Sequence, residues 1–387
     1  MNILIYFENV INPFDGGTER ASYNMALTLR KQGHQIFTLA KRASHSHIDF
    51  PVYYLPDSPI LSSANTLFVE KLVAEKNIDV IINEGGNNSD VQFFNHTNLD
   101  ISCNIITHLH FSALQGFGKY FYQDVSLRSL KDYLRLLKLP FNRHNALKLF
   151  KHNYATALQH TDKFIVLHEE FKAQILYLTN LYHLGNKINI IPNINNLYPL
   201  KPLHDKHNTI LYVGRLQYST KRVDRLLKAW SYIQDQLPDW NIEIIGDGPD
   251  KTWYQKYADG LSLKRVSFFG KCNPAPFYVK AKIITLVSTH ESFGMTLVEG
   301  MTFGCVPVVF DSYPTARELT NNGQCGFLIP PFDTLSFAMT LLRLCQDKEL
   351  LRETSNRALA QVAKYSANTI LKHWNEVFAQ LRNKNYD

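Results

Sequence analysis

Short apolar runs alternate with amphipathic stretches along the whole chain, and nothing else constrains its fold as tightly. In the first half the runs are Ile3–Phe7, Ile36–Leu39, Val80–Ile82, Ile105–Leu109 and Phe164–Leu167. In the second they are Ile210–Val213, Ile242–Ile245, Val266–Phe269, Ile283–Val287 and Val306–Phe310. Strands that alternate with helices predict an α/β protein with parallel sheets flanked by helices. The first helix shows its period clearly: Ala21, Met25, Ala26 and Leu29 share one face, and Gly33 ends it. A chain of 387 residues exceeds one ordinary core, so two domains are expected. The boundary falls in the polar, proline-bearing stretch from Asn193 to Asn208, which lacks any period. This gives a first domain at 1–200 and a second at 201–367. A last helical pattern, Ile370, Trp374, Val377, Phe378 and Leu381, occupies about 368–387.

Composition narrows the class further. The five cysteines are scattered and form no C-x-x-C, which fits a reducing compartment and argues against a disulfide frame or a zinc site. Met1 runs directly into a strand-like segment, so no signal peptide is expected, and no apolar run approaches the length of a membrane span. The net charge of +7 suits phosphate-rich ligands, an anionic membrane surface, or plain solubility. Nucleic acid is not an expected partner.

The chemistry concentrates in Glu291-Ser-Phe-Gly-Met-Thr-Leu-Val-Glu299. The preceding run, Lys282 to Ser288, reads as a buried strand, and Met295 to Phe303 reads as the start of a helix. Glu291 then lies in the strand-to-helix turn and Glu299 inside the helix, so that both carboxylates can address one ligand at the helix mouth. Backbone N–H groups around Phe293, Gly294 and Met295 would point at that ligand, and a helix N-terminus favours an anion such as a diphosphate. Arg215 follows the strand-like Leu211–Val213, on the rim where parallel sheets bind ligands, and Lys221 could begin the next helix. Two cations there can neutralise a pyrophosphate. Taken singly, each would be a solvated basic residue on a rim. Gly16 and Gly17 precede the first helix and let a backbone approach a ligand closely, although a tight turn is the plainer reading of a lone Gly-Gly. His108 and His110 share a face after a strand, as half a metal site or as one structural and one functional histidine.

These motifs resemble those of retaining nucleotide-sugar glycosyltransferases of the GT-B fold, glycosyltransferase family 4, weakly over 1–200 and strongly over about 209–345. The resemblance implies two Rossmann-like domains facing each other across a cleft, with the last helix crossing back onto the first. It assigns Glu291 to donor-sugar hydroxyls and Glu299 to the ribose. Gly214, Arg215 and Lys221 correspond to the diphosphate clamp, Gly16 and Gly17 to a loop against the diphosphate, and Gly270 and Lys271 to a loop that receives the nucleobase. His110, with His108 as the alternative, corresponds to a donor-sugar contact. Three departures stand out: Arg222 where the family often has Gly, Gly300 where it often has Ala, and Pro314-Thr-Ala-Arg317 in place of a Gly-rich loop. No D-x-D motif occurs, so metal-independent transfer without a cofactor is expected.

The implied reaction is transfer of a hexosyl or N-acetylhexosaminyl group from a nucleotide diphosphosugar, with UDP favoured, to a hydroxyl of a glycan or lipid-linked saccharide. A nucleotide-sugar 2-epimerase and a non-catalytic sugar-nucleotide-binding protein are the rival readings. Between Arg128 and Lys151, seven basic residues with Asp132 as the only acid are interleaved with leucines and phenylalanines. Such a segment can lie on an anionic membrane or pack as an ordinary helix pair. With the resemblance, it predicts a cytoplasmic enzyme attached peripherally to the inner face of the membrane.

Overall fold

A computed structural model describes residues 1–42, 48–85, 90–94, 99–114, 130–197 and 206–384, with the side chains of 130–143 and 383–384 excepted. The chain divides into two compact units. The first comprises Met1–Ile194 and Ala367–Asp387, and the second Asn195–Ser366.

The first unit is built on a seven-stranded, wholly parallel sheet. Its strands are β1 (Asn2–Phe7), β2 (Gln35–Ala40), β3 (Val52–Tyr54), β4 (Val80–Asn83), β5 (Asn104–Leu109), β6 (Lys163–Val166) and β7 (Ile188–Ile190), in the order β3-β2-β1-β4-β5-β6-β7. The direction of winding reverses between β1 and β4, where Ile3 pairs with Val80 and Ile5 with Ile82. Both faces of β1 are covered, and Ile3, Leu4, Ile5 and Tyr6 are fully buried. The helix Gly17–Lys31 buries Ala21, Met25, Ala26 and Leu29 on the face read from the sequence, and Gly33 follows it at φ +89°. The last helix, Ala367–Lys384, belongs to this unit: Ile370, Trp374, Val377, Phe378 and Leu381 join one core with Ile3, Ile5 and Ile82. Nearly all of its apolar stripe is thus inside the unit rather than on a surface.

The second unit carries a six-stranded parallel sheet: β8 (His207–Val213), β9 (Asn241–Ile245), β10 (Val266–Gly270), β11 (Ala281–Leu286), β12 (Val306–Phe310) and β13 (Phe327–Ile329). Their order is β10-β9-β8-β11-β12-β13, so its winding reverses between β8 and β11. The strands β3, β7 and β13 were not among the apolar runs. Each has only three residues, too few to display a period.

The basic segment at 128–151 falls largely in a single helix, Leu130–His160, not in a helix pair. Arg128 lies outside the described residues, as do the side chains of Lys131, Arg135, Lys138 and Arg143. Lys148, Leu149 and Lys151 are exposed, while Tyr154, Ala157 and Leu158 anchor the helix in the core. No helix among the described residues is long and apolar enough to cross a membrane.

Candidate functional site

In open α/β sheets, ligands bind beyond the carboxyl ends of the strands, where the winding reverses. In the second unit that point lies between β8 and β11, and the loops leaving these two strands carry Arg215, Lys221 and Glu291. Lys221 donates from Nζ to Glu291 Oε1 at 2.5 Å, and Ser288 Oγ donates to the same oxygen at 2.6 Å. The backbone N–H of Thr289 donates to Thr220 O at 2.8 Å, which ties the two loops together. Arg215 is exposed and has no side-chain partner among the described residues. One cation is therefore held by a carboxylate while the other projects into solvent, ready for an anion.

Lys221 does not begin the following helix. It ends a four-residue helix, Tyr218–Lys221, and the next helix starts at Val223. Arg222 links them at φ +48°, in the left-handed region. This accounts for the glycine that the family often has here, since a Cβ is disfavoured by roughly 1–2 kcal/mol in that conformation. Arg222 is held there by Asp224, with Nε to Oδ1 at 3.1 Å and Nη2 to Oδ2 at 3.0 Å, and its guanidinium lies 4.4 Å from the centre of the Tyr218 ring.

The turn after β9 fixes the loop after β8. Gly246 adopts φ +142°, and a Cβ built there would stand 1.9 Å from the carbonyl oxygen of Gly214. Leu216 N donates to Asp247 O at 2.9 Å, so the two turns pack backbone to backbone. The run Gly246-Asp-Gly-Pro249 makes this close approach possible. Gly270 ends β10 at φ +72° and accepts from Gly246 N at 2.8 Å, and Lys271 beside it is exposed.

Gly294 caps the helix Met295–Thr302 in the left-handed region, at φ +88°. Phe293 and Met295 are buried, so at these positions only the backbone is available to a ligand. Phe293 packs edge-on against Tyr365, with 5.4 Å between ring centres. Glu299 is 1% exposed, and Tyr278 donates its hydroxyl to Glu299 Oε2 at 2.6 Å. Glu291 and Glu299 thus differ in setting: one is paired with a cation at the loop, the other is buried on the helix against a tyrosine. A Cβ at Gly300 would come within 3.0–3.1 Å of Ile284, so the glycine seats this helix closely on β11. Burial and the Glu291 charge push the Tyr212 and Tyr313 hydroxyls well above the ordinary phenol range. Both therefore remain neutral beside Glu291.

In the first unit, Gly16 caps the helix Gly17–Lys31 that follows β1, and Gly17 is the helix's first residue. A Cβ at Gly17 would meet nothing within 4 Å, and its φ is not positive. The protein's own packing gives no reason for that glycine. His108 and His110, at the end of β5, are buried around a residue that the sequence reading missed, Glu84, just past β4. Glu84 Oε1 lies 3.3 Å from His108 Nδ1, and Oε2 contacts His110 Nε2. Burial opposes ionisation of Glu84, yet His110 and His108 hold its carboxyl well below the usual carboxylate range. Burial, and then His110, lower the His108 imidazole below its usual range, against the opposing pull of Glu84. One ligand atom from each of the three residues falls within 4.8 Å of the others, a spacing a metal ion could bridge. In this structure the carboxylate and the rings partner one another directly. A lone acid two residues after the apolar run Val80–Ile82, with His-x-His closing the next run, was the available signal.

Residues 193–361 match the family model described as glycosyl transferases group 1. The chain is similar to an uncharacterized glycosyltransferase of Haemophilus influenzae, 26% identical over 370 residues, which cover 93% of this chain and 95% of the relative. It is also similar to the GalNAc-alpha-(1->4)-GalNAc-alpha-(1->3)-diNAcBac-PP-undecaprenol alpha-1,4-N-acetyl-D-galactosaminyltransferase of Campylobacter jejuni. There it is 25% identical over 220 residues, 56% of this chain and 58% of that one. Among solved structures, it is similar to HepE of Anabaena in complex with UDP and glucose, with a TM-score of 0.73 and 18% identity, covering 98% and 100% of the two chains. At that identity the likeness speaks for the fold alone.

Proposed function

We propose, from the premise that this chain is a group 1 glycosyltransferase with Rossmann-like GT-B sheets, that it moves a hexosyl or N-acetylhexosaminyl group from a UDP-sugar to a saccharide hydroxyl with retention of anomeric configuration. The observation that carries the reading is the Lys221–Glu291–Ser288 cluster with the exposed Arg215 on the neighbouring loop, at the reversal point of the second sheet. On this reading Arg215, Lys221 and the N-terminus of the helix at Met295 neutralise the departing diphosphate. An anion gains from such oriented donors, and they need no reorganisation as charge develops. Glu291 orients the sugar hydroxyls, and Glu299, held by Tyr278, fixes the ribose. Orientation and electrostatics supply most of the rate. Transfer proceeds without a metal or other cofactor, the two cations doing what a divalent ion would otherwise do.

The acceptor we propose is a lipid-linked saccharide, and the site of action the cytoplasmic face of a membrane. The Campylobacter relative, whose name specifies an undecaprenol-linked acceptor, and the basic segment at 128–151 favour this choice. Screening labelled UDP-, GDP- and dTDP-sugars for transfer or slow hydrolysis tests the donor. Isomerisation of the sugar without release, or binding without turnover, would refute the transferase reading.

A further inference from the structure

The loop after β12 is held in one shape and brings an uncommitted group to the Glu291 loop. Arg317 grips Asp311 with two parallel contacts, Nε to Oδ1 and Nη2 to Oδ2, both at 2.7 Å. Ser312 Oγ donates to Ser288 O at 3.0 Å, which ties this loop to the one after β11. Tyr313 comes next, 5% exposed, just before the helix Pro314–Leu319. A Cβ built at Gly294 would come within 3.6 Å of its hydroxyl oxygen, so the phenol lies against the cap of the helix Met295–Thr302. The stretch from Ser288 to Gly294 is thus touched at both ends by the loop after β12, with Glu291 in between. Among the described residues the Tyr313 hydroxyl has no hydrogen-bond partner. Buried hydroxyls rarely go unpaired, because each forfeits its hydration. Tyr212, the other phenol raised by the Glu291 charge, already faces Arg215 O at 3.5 Å. His290 Nδ1 also lacks a partner, but a neutral imidazole tolerates one bare nitrogen.

Glu291 has an open side as well. Lys221 and Ser288 both address Oε1, and Oε2 has no partner among the described residues. The Tyr313 phenol keeps its proton, since burial and the Glu291 charge both raise it. We propose that Tyr313 is a positioning residue: its hydroxyl is the reserve donor for Glu291, taken up when a diphosphate draws Lys221 away. This deepens the transferase reading and rests on its assignment of Lys221 to the diphosphate. With Lys221 gone and nothing in its place, a largely buried carboxylate would be left without its cation, a costly state. An O–H···O⁻ bond from Tyr313 offsets that loss and keeps Glu291 oriented while Lys221 serves the leaving group. The Pro314-Thr-Ala-Arg317 segment thereby acquires a role, because a Gly-rich loop would lack the Arg317 clamp that fixes the tyrosine.

The test uses the full chain labelled with carbon-13 at the tyrosine Cζ, whose signal moves downfield when the hydroxyl donates to a carboxylate. The Tyr313 signal is assigned by its loss in Tyr313→Phe. Lys221→Met, with no nucleotide present, is expected to move it downfield, and Glu291→Leu added to that variant to move it back. UDP bound to the wild type is expected to produce the same downfield shift. A signal already downfield in the free wild type, as a fixed water would cause, overturns the proposal. So does one that stays put in Lys221→Met, stays downfield in the double variant, or ignores bound UDP. By calorimetry, Tyr313→Phe is expected to weaken UDP roughly tenfold, the scale of one charge-assisted hydrogen bond, and to have no effect in a Glu291→Leu background. Its melting temperature stays at or above that of wild type, because the hydroxyl has no partner to lose. Undiminished UDP affinity, equal weakening in the Glu291→Leu background, or a lowered melting temperature refutes the positioning role. If the wild type neither binds UDP nor turns over a nucleotide sugar, the transferase reading fails, and the Lys221→Met spectrum still decides whether Tyr313 serves Glu291.

Discussion

The Lys221–Glu291 pair allows the second-unit site to be tested quantitatively. The contact is 2.5 Å, and the two side chains are 25% and 12% exposed. Exposed ion pairs are worth roughly 0–1 kcal/mol, whereas stripping one partner from a fully buried pair costs roughly 3–5 kcal/mol. This pair lies between those limits, and Ser288 donates to the same carboxylate oxygen. A coupling of about 2 kcal/mol follows, roughly a 30-fold effect on a rate or equilibrium. The experiment is a double-mutant cycle of Glu291→Gln, Lys221→Met and the combination, read by kcat/KM for nucleotide-sugar turnover and by calorimetric UDP affinity. Glu291→Gln keeps the shape and an oxygen for Ser288 but removes the charge. It is expected to lower kcat/KM by roughly 30-fold or more while leaving UDP affinity nearly unchanged. Lys221→Met is expected to weaken UDP. The double variant should be less impaired than the product of the single effects. Wild-type turnover in Glu291→Gln, or strict additivity in the cycle, would show that the pair does not act as a unit.

Gly246→Ala places a Cβ against the Gly214 carbonyl at a strained φ and is expected to lower the melting temperature and to reduce turnover through displacement of Arg215; a melt like that of wild type would contradict the backbone-to-backbone packing. Excess EDTA is expected to leave turnover intact, and complete loss restored by manganese would overturn metal independence. Acidification is expected to destabilise the first unit in two stages. His108 and Glu84 both have folded-state values below their ordinary ones, so in each case the unfolded chain binds the proton first and stability falls with pH. The His108 contribution is lost as pH drops below the ordinary imidazole range, near 6.5, and that of Glu84 below the ordinary carboxylate range, near 4.3. A urea midpoint that is flat across both ranges would refute this. Co-sedimentation with anionic vesicles, weakened by high salt and by Glu at Arg135, Lys138 and Arg143, is the expected behaviour of the basic segment. Equal pelleting with neutral vesicles would make a soluble acceptor the better choice.

Legibility in the sequence followed physical scale. Long apolar runs such as Ile3–Phe7 and Val306–Phe310 announced the inner strands because burial on both faces leaves no polar interruption. The three-residue strands β3, β7 and β13 carry no periodicity, so nothing local distinguished them from loops. Glu291, Arg215 and Lys221 were readable because their loops repeat a known motif, but the direct Lys221–Glu291 contact was not, since sequence spacing says nothing about how two loops meet. Glu84 and Tyr278 were invisible for a related reason. Each is an ordinary residue alone, and it acquires meaning only when the parallel order sets β4 beside β5, or seats the helix Ala275–Lys280 near Glu299. Arg222 reversed the usual relation: a departure from the motif became intelligible once its positive φ was known.

The placement of Ala367–Lys384 in the core of the first unit has a consequence for how the chain is made. Synthesis runs from the amino terminus, so the seven-stranded sheet emerges before Asn195–Ser366 but lacks Trp374 and Phe378 until that whole stretch has followed it. The continuous stretch Asn195–Ser366 meanwhile contains every strand of its own sheet and can close while the earlier sheet still waits. The order of completion is therefore the reverse of the order of appearance. During that interval one flank of the earlier sheet, including Ile3 and Ile5, stays uncovered and open to chaperones or to aggregation. A stop codon just before Ala367 would undo the unit that was translated first and spare the unit next to it.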